Sequence, residues 1–175
     1  MRKLGILLVM LALLIFASTV SASPPDAKNF VAHLSGGDEV PARDTRARGN
    51  AIIHLSKDGS SLEFKLIVAN IENVFAAHIH CAPAGVNGPI GVTLFMGTPG
   101  SGRVNGVLSS GTVSAPDAGN ACGWTSIEDV AEAMRSGDAY VNVHTNDGID
   151  PPNTGPGDFP GGEICGQVSA KGPGG

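Results

Sequence analysis

Short apolar stretches that alternate with polar residues, and that are separated by turn-forming residues, constrain the fold of this chain most strongly. Over 62–69 the apolar side chains fall on one face of an extended strand, while Glu63 and Lys65 fall on the other. The stretch 49–56 alternates in the same way. Asp58-Gly59 lies between the two stretches and favours the left-handed backbone of a hairpin turn. These features predict a β-hairpin.

The rest of the chain predicts six further strands and one helix. The helix begins after Thr125 or Ser126, either of which can cap it, and ends at Gly137. The sequence holds 25 Gly and 12 Pro, which suits many turns between short strands. We therefore expect an all-β fold, an antiparallel Greek-key β-sandwich of about eight strands with one short helix before the penultimate strand. The six further strands are expected over 30–34, 74–80, 90–95, 104–114, 140–145 and 162–170.

The first 22 residues have the pattern of a secretory signal peptide. Arg2 and Lys3 precede an apolar run over 4–17, and the small residues 20–22 form a cleavage site. The apolar run is shorter than a membrane span requires, so no span is expected after cleavage. The sequence thus predicts a secreted or periplasmic protein with a linker at 23–28, one domain at 29–170 and a flexible tail at 171–175.

The charge of the chain limits its partners. The formal charge is −5, and loss of two basic residues with the signal peptide makes the mature chain more acidic still. Nucleic acid is therefore not an expected partner. The sequence contains no Gly-x-Ser-x-Gly run and no phosphate-binding glycine loop, so hydrolase and nucleotide-binding functions have no support. The expected partner is an extracellular protein or a small ligand.

Three histidines predict a metal site. His78 and His80 lie two residues apart in a predicted strand and therefore share a face, and His144 ends another predicted strand. If the two strands adjoin, three imidazoles would converge on copper or zinc, with Glu163 as a fourth ligand. Glu39 or Cys165 is a possible extra ligand. The alternative is that these histidines only form hydrogen bonds to their neighbours.

Five motifs in order make the chain resemble the CHRD domain family, named from chordin. The resemblance covers roughly residues 30–169. It implies an extracellular β-rich module without an established activity, and a binding or structural module is the leading hypothesis for its function. The motifs are Glu39-Val40-Pro41, Ala77-His78-Ile79-His80, Gly85-Val86-Asn87-Gly88-Pro89, Tyr140-Val141-Asn142-Val143-His144-Thr145 and Gly161-Gly162-Glu163-Ile164-Cys165-Gly166-Gln167.

The resemblance also bears on the three cysteines, one of which is left over whichever two pair. The family usually has Arg at the position of Cys165. This implies that Cys165 is the additional cysteine and that Cys81 and Cys122 form a disulfide. A bond between Cys81 and Cys165 is the alternative.

The arrangement of the histidines also resembles the copper ligands of copper-zinc superoxide dismutase, another Greek-key β protein with a His-x-His strand. A metal-dependent enzyme with a dismutase-like site is therefore the alternative function. The remaining histidines, His33 and His54, precede the His-x-His motif and do not match the zinc or bridging ligands of that enzyme.

Overall fold

A computed structural model describes residues 26–171 of the chain. The predicted signal peptide at 1–22, the first part of the predicted linker and residues 172–175 lie outside this range. Within it the chain forms nine strands, one α-helix and a 3-10 turn at Gly36–Asp38. The bounds are β1 Asn29–Ser35, β2 Arg48–Leu55, β3 Leu62–Glu72, β4 Val74–Cys81, β5 Ile90–Met96, β6 Arg103–Val113, α1 Ile127–Ser136, β7 Ala139–Thr145, β8 Ile164–Gln167 and β9 Ser169–Ala170.

Hydrogen bonds connect all nine described strands into one antiparallel sheet. The strand order is β5-β4-β7-β8-β1-β2-β3-β6, and β9 pairs with β1. The edge strands β5 and β6 approach each other, since Ser109 Oγ donates to the Leu94 carbonyl at 2.9 Å, and the sheet is nearly closed. The predicted all-β fold with one short helix is confirmed. In this order β7 lies beside β4 and β8 beside β1, although neither pair is consecutive in the chain.

The predicted hairpin is formed by β2 and β3, with Leu55 opposite Leu62. Gly59 has φ 74° in the turn, and the Asp58 carboxylate accepts hydrogen bonds from Ser60 N at 3.1 Å and Ser56 Oγ at 2.7 Å. Three of the four apolar side chains on the predicted buried face of β3, Leu62, Leu66 and Val68, are each at most 1 % exposed. The fourth, Phe64, is only partly buried against the core.

Of the two candidate caps for the helix α1, Thr125 and Ser126, Ser126 is the one that caps it. The Ser126 side chain accepts from Asp129 N, and the Asp129 carboxylate accepts from Ser126 N at 2.9 Å, so both ends of a capping box are present. Gly137 ends the helix in the left-handed conformation with φ 81°. The helix buries Val130 and Met134 in the main core. Among residues 26–171 there is no helix with the length and apolar character needed to cross a membrane.

The last predicted strand, 162–170, divides into β8 and β9, which pair mainly with different neighbours. Gly162 has φ 129°, a backbone conformation that ends the preceding loop, and β8 begins only at Ile164. Val168 separates the two strands and donates its N–H to the Ala139 carbonyl at 2.9 Å. Glu163 therefore lies at the end of the loop and not within a strand.

The hydrophobic core lies on one side of the sheet. Each of β4 and β7 therefore has one face toward the core and one face away from it. Ala77, Ile79, Val141 and Val143 from these strands all lie in the main hydrophobic cluster. Their neighbours in sequence must face the opposite way because side chains alternate along a strand. The histidines are carried on that second face.

Candidate metal centre

Antiparallel pairing of β4 with β7 brings the three histidines together. His78 lies opposite Asn142, and His144 lies opposite Ala76, two residues before His78. One ring nitrogen of each of His78, His80 and His144 lies within 4.8 Å of those of the other two. The ring centroids are 5.0 Å apart for His78 and His144, and 5.6 Å apart for each of the other two pairs. The convergence predicted from the sequence depends on this strand pairing.

Backbone carbonyls set the tautomers of two rings. His80 Nδ1 lies 3.0 Å from the Gly88 carbonyl oxygen, and His144 Nδ1 lies 3.0 Å from that of Pro160. A carbonyl oxygen only accepts a hydrogen bond, so each Nδ1 carries the proton and each Nε2 keeps its lone pair. Metal-binding histidines are oriented in this way by the hydrogen bond of the second nitrogen.

The nitrogens that remain have no partner among the described residues. Nε2 of His80, Nε2 of His144 and Nδ1 of His78 are all buried without a hydrogen bond. Leaving a buried polar atom unpaired costs about 1–3 kcal/mol, and native proteins rarely do so. Three such atoms on converging rings are explained together if they share one ligand.

Burial keeps the imidazoles neutral, which is the form that binds metals. Desolvation, with a contribution from neighbouring histidines, lowers the pKa of His78 and of His144 to about 4. Desolvation also lowers the pKa of His80. Lone pairs are therefore present on the rings at neutral pH.

Aromatic side chains pack against the histidine cluster. The Tyr140 ring stacks on His80 with centroids 4.9 Å apart, and its hydroxyl oxygen accepts from Gly88 N at 3.1 Å. Phe75 meets His144 edge-on at 6.2 Å. The three imidazoles are 6–7 % exposed, so the cluster lies just below the surface.

The sequence profile of the CHRD domain matches residues 30–168, which include both histidine-bearing strands. The chain belongs to the CHRD family. Comparisons with curated proteins and with solved structures find no match. Family membership agrees with an extracellular location, and so does the disulfide, because such bonds persist in oxidising compartments.

The carboxylate of Glu163, expected from strand alternation as a fourth ligand, lies outside the three-histidine group of this CHRD domain. The Glu163 side chain is completely buried. It accepts from Thr45 Oγ1 at 2.6 Å, from Thr145 Oγ1 at 2.7 Å and from Gly157 N at 2.9 Å. These bonds join two loops to the end of β7.

Glu39 and Cys165 form a second buried cluster on the histidine face. Cys165 lies opposite Asn142, which in turn lies opposite His78. Burial raises the pKa of Glu39 to about 7, although the Arg43 charge and the nearby polar groups of Cys165 and Asn142 act to lower it. Burial and the Glu39 charge raise the pKa of the Cys165 thiol above its usual range. Neither side chain belongs to the three-histidine group.

The cysteines and the two remaining histidines are placed as follows. A disulfide joins Cys81 to Cys122, the pairing implied by the family resemblance, and Cys165 is free and buried. His33 Nδ1 lies 2.6 Å from Asn50 Oδ1, and His54 Nδ1 lies 2.8 Å from Asn29 Oδ1. Both of these histidines are exposed on β1 and β2.

Sequence reasoning missed the parts of the site that loops contribute. The Gly88 and Pro160 carbonyls are backbone atoms, which no residue type identifies. Asp117, in the loop between β6 and α1, was also missed: its carboxylate accepts hydrogen bonds from Thr93, the residue paired with His78. The motif Gly85-Val86-Asn87-Gly88-Pro89 pointed to one of these loops only as part of the family pattern.

Proposed function

We propose that this CHRD domain is an extracytoplasmic module that binds one copper or zinc ion through His78, His80 and His144. The observation that carries the proposal is the set of three buried, unpartnered imidazole nitrogens on converging rings. Carbonyl oxygens hold two of these rings in the tautomer that a metal requires.

The donor set favours these two metals. Neutral imidazoles suit copper and zinc, whereas calcium and magnesium prefer oxygen ligands. Three protein ligands leave a coordination position for water or for an external group. A partner protein or small ligand with a donor atom would bind the metal there, which links the metal to a binding role.

A dismutase-like enzyme is the less favoured function. The two-metal site of that enzyme needs further histidines beside the first three. In this chain His33 and His54 lie on β1 and β2, each hydrogen-bonded to an asparagine. A single metal in a binding module therefore accounts for the described histidines better than a dinuclear redox site does.

Metal analysis of the purified chain without residues 1–22 tests the proposal. We expect about one equivalent of copper or zinc to remain after dialysis against a weak chelator, and His78→Ala or His144→Ala to weaken binding by at least about tenfold. His33→Ala is the matched control and should retain the metal. Negligible metal in the unmutated protein after loading would contradict the proposal.

A further inference from the structure

We propose that Asp117 is an outer charge partner of the metal centre and favours a divalent over a monovalent ion. This inference rests on the proposed function. Asp117 does not belong to the group of potential ligands, so it would act on the ion by its charge and not by direct coordination. Its role would be to hold a fixed negative charge on the flank of His78.

Strand pairing connects Asp117 to His78. Thr93 of β5 lies directly opposite His78 of β4. Thr93 N donates to Asp117 Oδ1 at 3.1 Å, and Thr93 Oγ1 donates to Asp117 Oδ2 at 2.7 Å. Both carboxylate oxygens are thereby fixed against the residue that is paired with a metal ligand.

The loop that carries Asp117 is itself held in place. Asp117 N donates to the Gly91 carbonyl at 2.9 Å, which ties the loop to β5. The Asp117 carbonyl accepts from Asn120 Nδ2 at 2.8 Å. Further along the loop, Cys122 is bonded to Cys81, the residue after His80. The carboxylate is thus anchored to β5 through Gly91 and Thr93, and the disulfide ties the same loop to β4.

The charge balance of the site explains why such a group matters. Three neutral imidazoles bring no negative charge, so a divalent ion held by them would be a largely uncompensated charge in a poorly hydrated place. The Asp117 carboxylate is hydrogen-bonded to Thr93, whose side chain shares a face with His78 because the two residues are paired, and its negative charge would favour a bound cation there. A second carboxyl on this face, that of Glu39, has Arg43 as its counter-charge and a pKa of about 7. It therefore contributes less negative charge at neutral pH.

The test compares Zn²⁺ and Cu⁺ affinities of the Asp117→Asn variant, with the disulfide intact. Asparagine keeps the shape of the side chain and removes its charge. We expect Zn²⁺ affinity to fall about tenfold and Cu⁺ affinity to fall by about the square root of that factor, because the Coulomb energy scales with the ion's charge. Competition with chromophoric chelators measures both, with ascorbate keeping copper reduced. Asp117→Glu should restore part of the Zn²⁺ affinity.

Glu63→Gln is the matched control, since it removes one exposed carboxylate from β3. It should change neither affinity. Equal losses for the two ions in Asp117→Asn would assign Asp117 a purely structural role and overturn the inference, as would unchanged affinity for both. If the unmutated protein bound neither ion, the proposed function itself would fail. If the unmutated protein bound both ions and the variant bound them equally well, only the inference about Asp117 would fail.

Discussion

Two regions of the sheet carry histidines on antiparallel strands, and only one of them has the features of a metal site. On β1 and β2, His33 lies opposite Asn50 and His54 opposite Asn29, and each pair is joined by a hydrogen bond in water-exposed surroundings. On β4 and β7 the imidazoles are buried, and each has a ring nitrogen without a partner. The comparison teaches that histidines at a suitable spacing are insufficient to identify a metal site. The feature that distinguishes the site is a buried ring nitrogen whose lone pair has no hydrogen-bond partner.

The largest effect is expected from removing the disulfide bond beside the metal centre. The Cys81–Cys122 bond spans 41 residues, and its loss through Cys81→Ser with Cys122→Ser should destabilise the fold by about 4 kcal/mol on the loop-entropy estimate. Urea unfolding measures the change. Cys165→Ser, which breaks no bond, is the comparison variant.

Peptide mapping under non-reducing conditions checks the same bond directly. It should find Cys81 joined to Cys122, and a peptide that links Cys165 to either would contradict the pairing.

The second prediction concerns the buried carboxyl on the metal-centre face. The pKa of Glu39 is about 7 in the folded chain, against 4.5 as its ordinary value, so the folded state binds more protons between these values. Stability should therefore fall as pH rises from about 4.5 to about 7. At pH 8, Glu39→Gln should stabilise the metal-free protein by about 3 kcal/mol, and at pH 4 by close to nothing.

Unfolding curves of Glu39→Gln at the two pH values measure this effect. Glu63→Gln, which removes an exposed carboxylate from β3, is the matched control for the substitution itself. An equal gain for Glu39→Gln at both pH values would contradict the assigned cause.

The third prediction compares how histidine substitutions in the two regions change the rise in Tm that a bound metal causes. A metal at about 100 times its dissociation constant stabilises a folded protein by about 2.7 kcal/mol. For a chain of this size we expect Tm to rise by about 5–10 °C on adding Zn²⁺. His80→Ala should abolish this rise, whereas His54→Ala should keep it. A rise that survives in His80→Ala and disappears in His54→Ala would reverse the comparison.

The smallest effect is expected in the exposed pairs themselves. Removing the hydrogen bond between His33 and Asn50 through Asn50→Ala should cost less than about 1 kcal/mol, because water replaces the lost partner. Thermal unfolding without metal measures it. A cost of several kcal/mol would show that this pair, too, has a structural role.

Much of the fold follows from local patterns, and less of the site does. Alternation was sufficient to assign the buried face of β3 and the shared face of His78 and His80, and the cap of α1 was visible at Ser126. The pairing of β4 with β7 was not, because a long stretch of chain separates these strands and nothing local specifies which strands become neighbours. Alternation also fails beyond the end of a strand: Glu163 follows the loop residue Gly162 and points to Thr45 and Thr145.

The backbone carbonyls of Gly88 and Pro160 determine which mutations the site tolerates during evolution. Every residue type has a carbonyl, so the acceptors that orient His80 and His144 do not depend on a particular side chain. Composition is limited by space instead, because a Cβ at Gly88 would collide with the Cys81 carbonyl group. Insertions and deletions are different, since one residue more or less would move the carbonyl away from the ring. Loop length, together with the glycine at position 88, is thus what selection on this site would be expected to preserve.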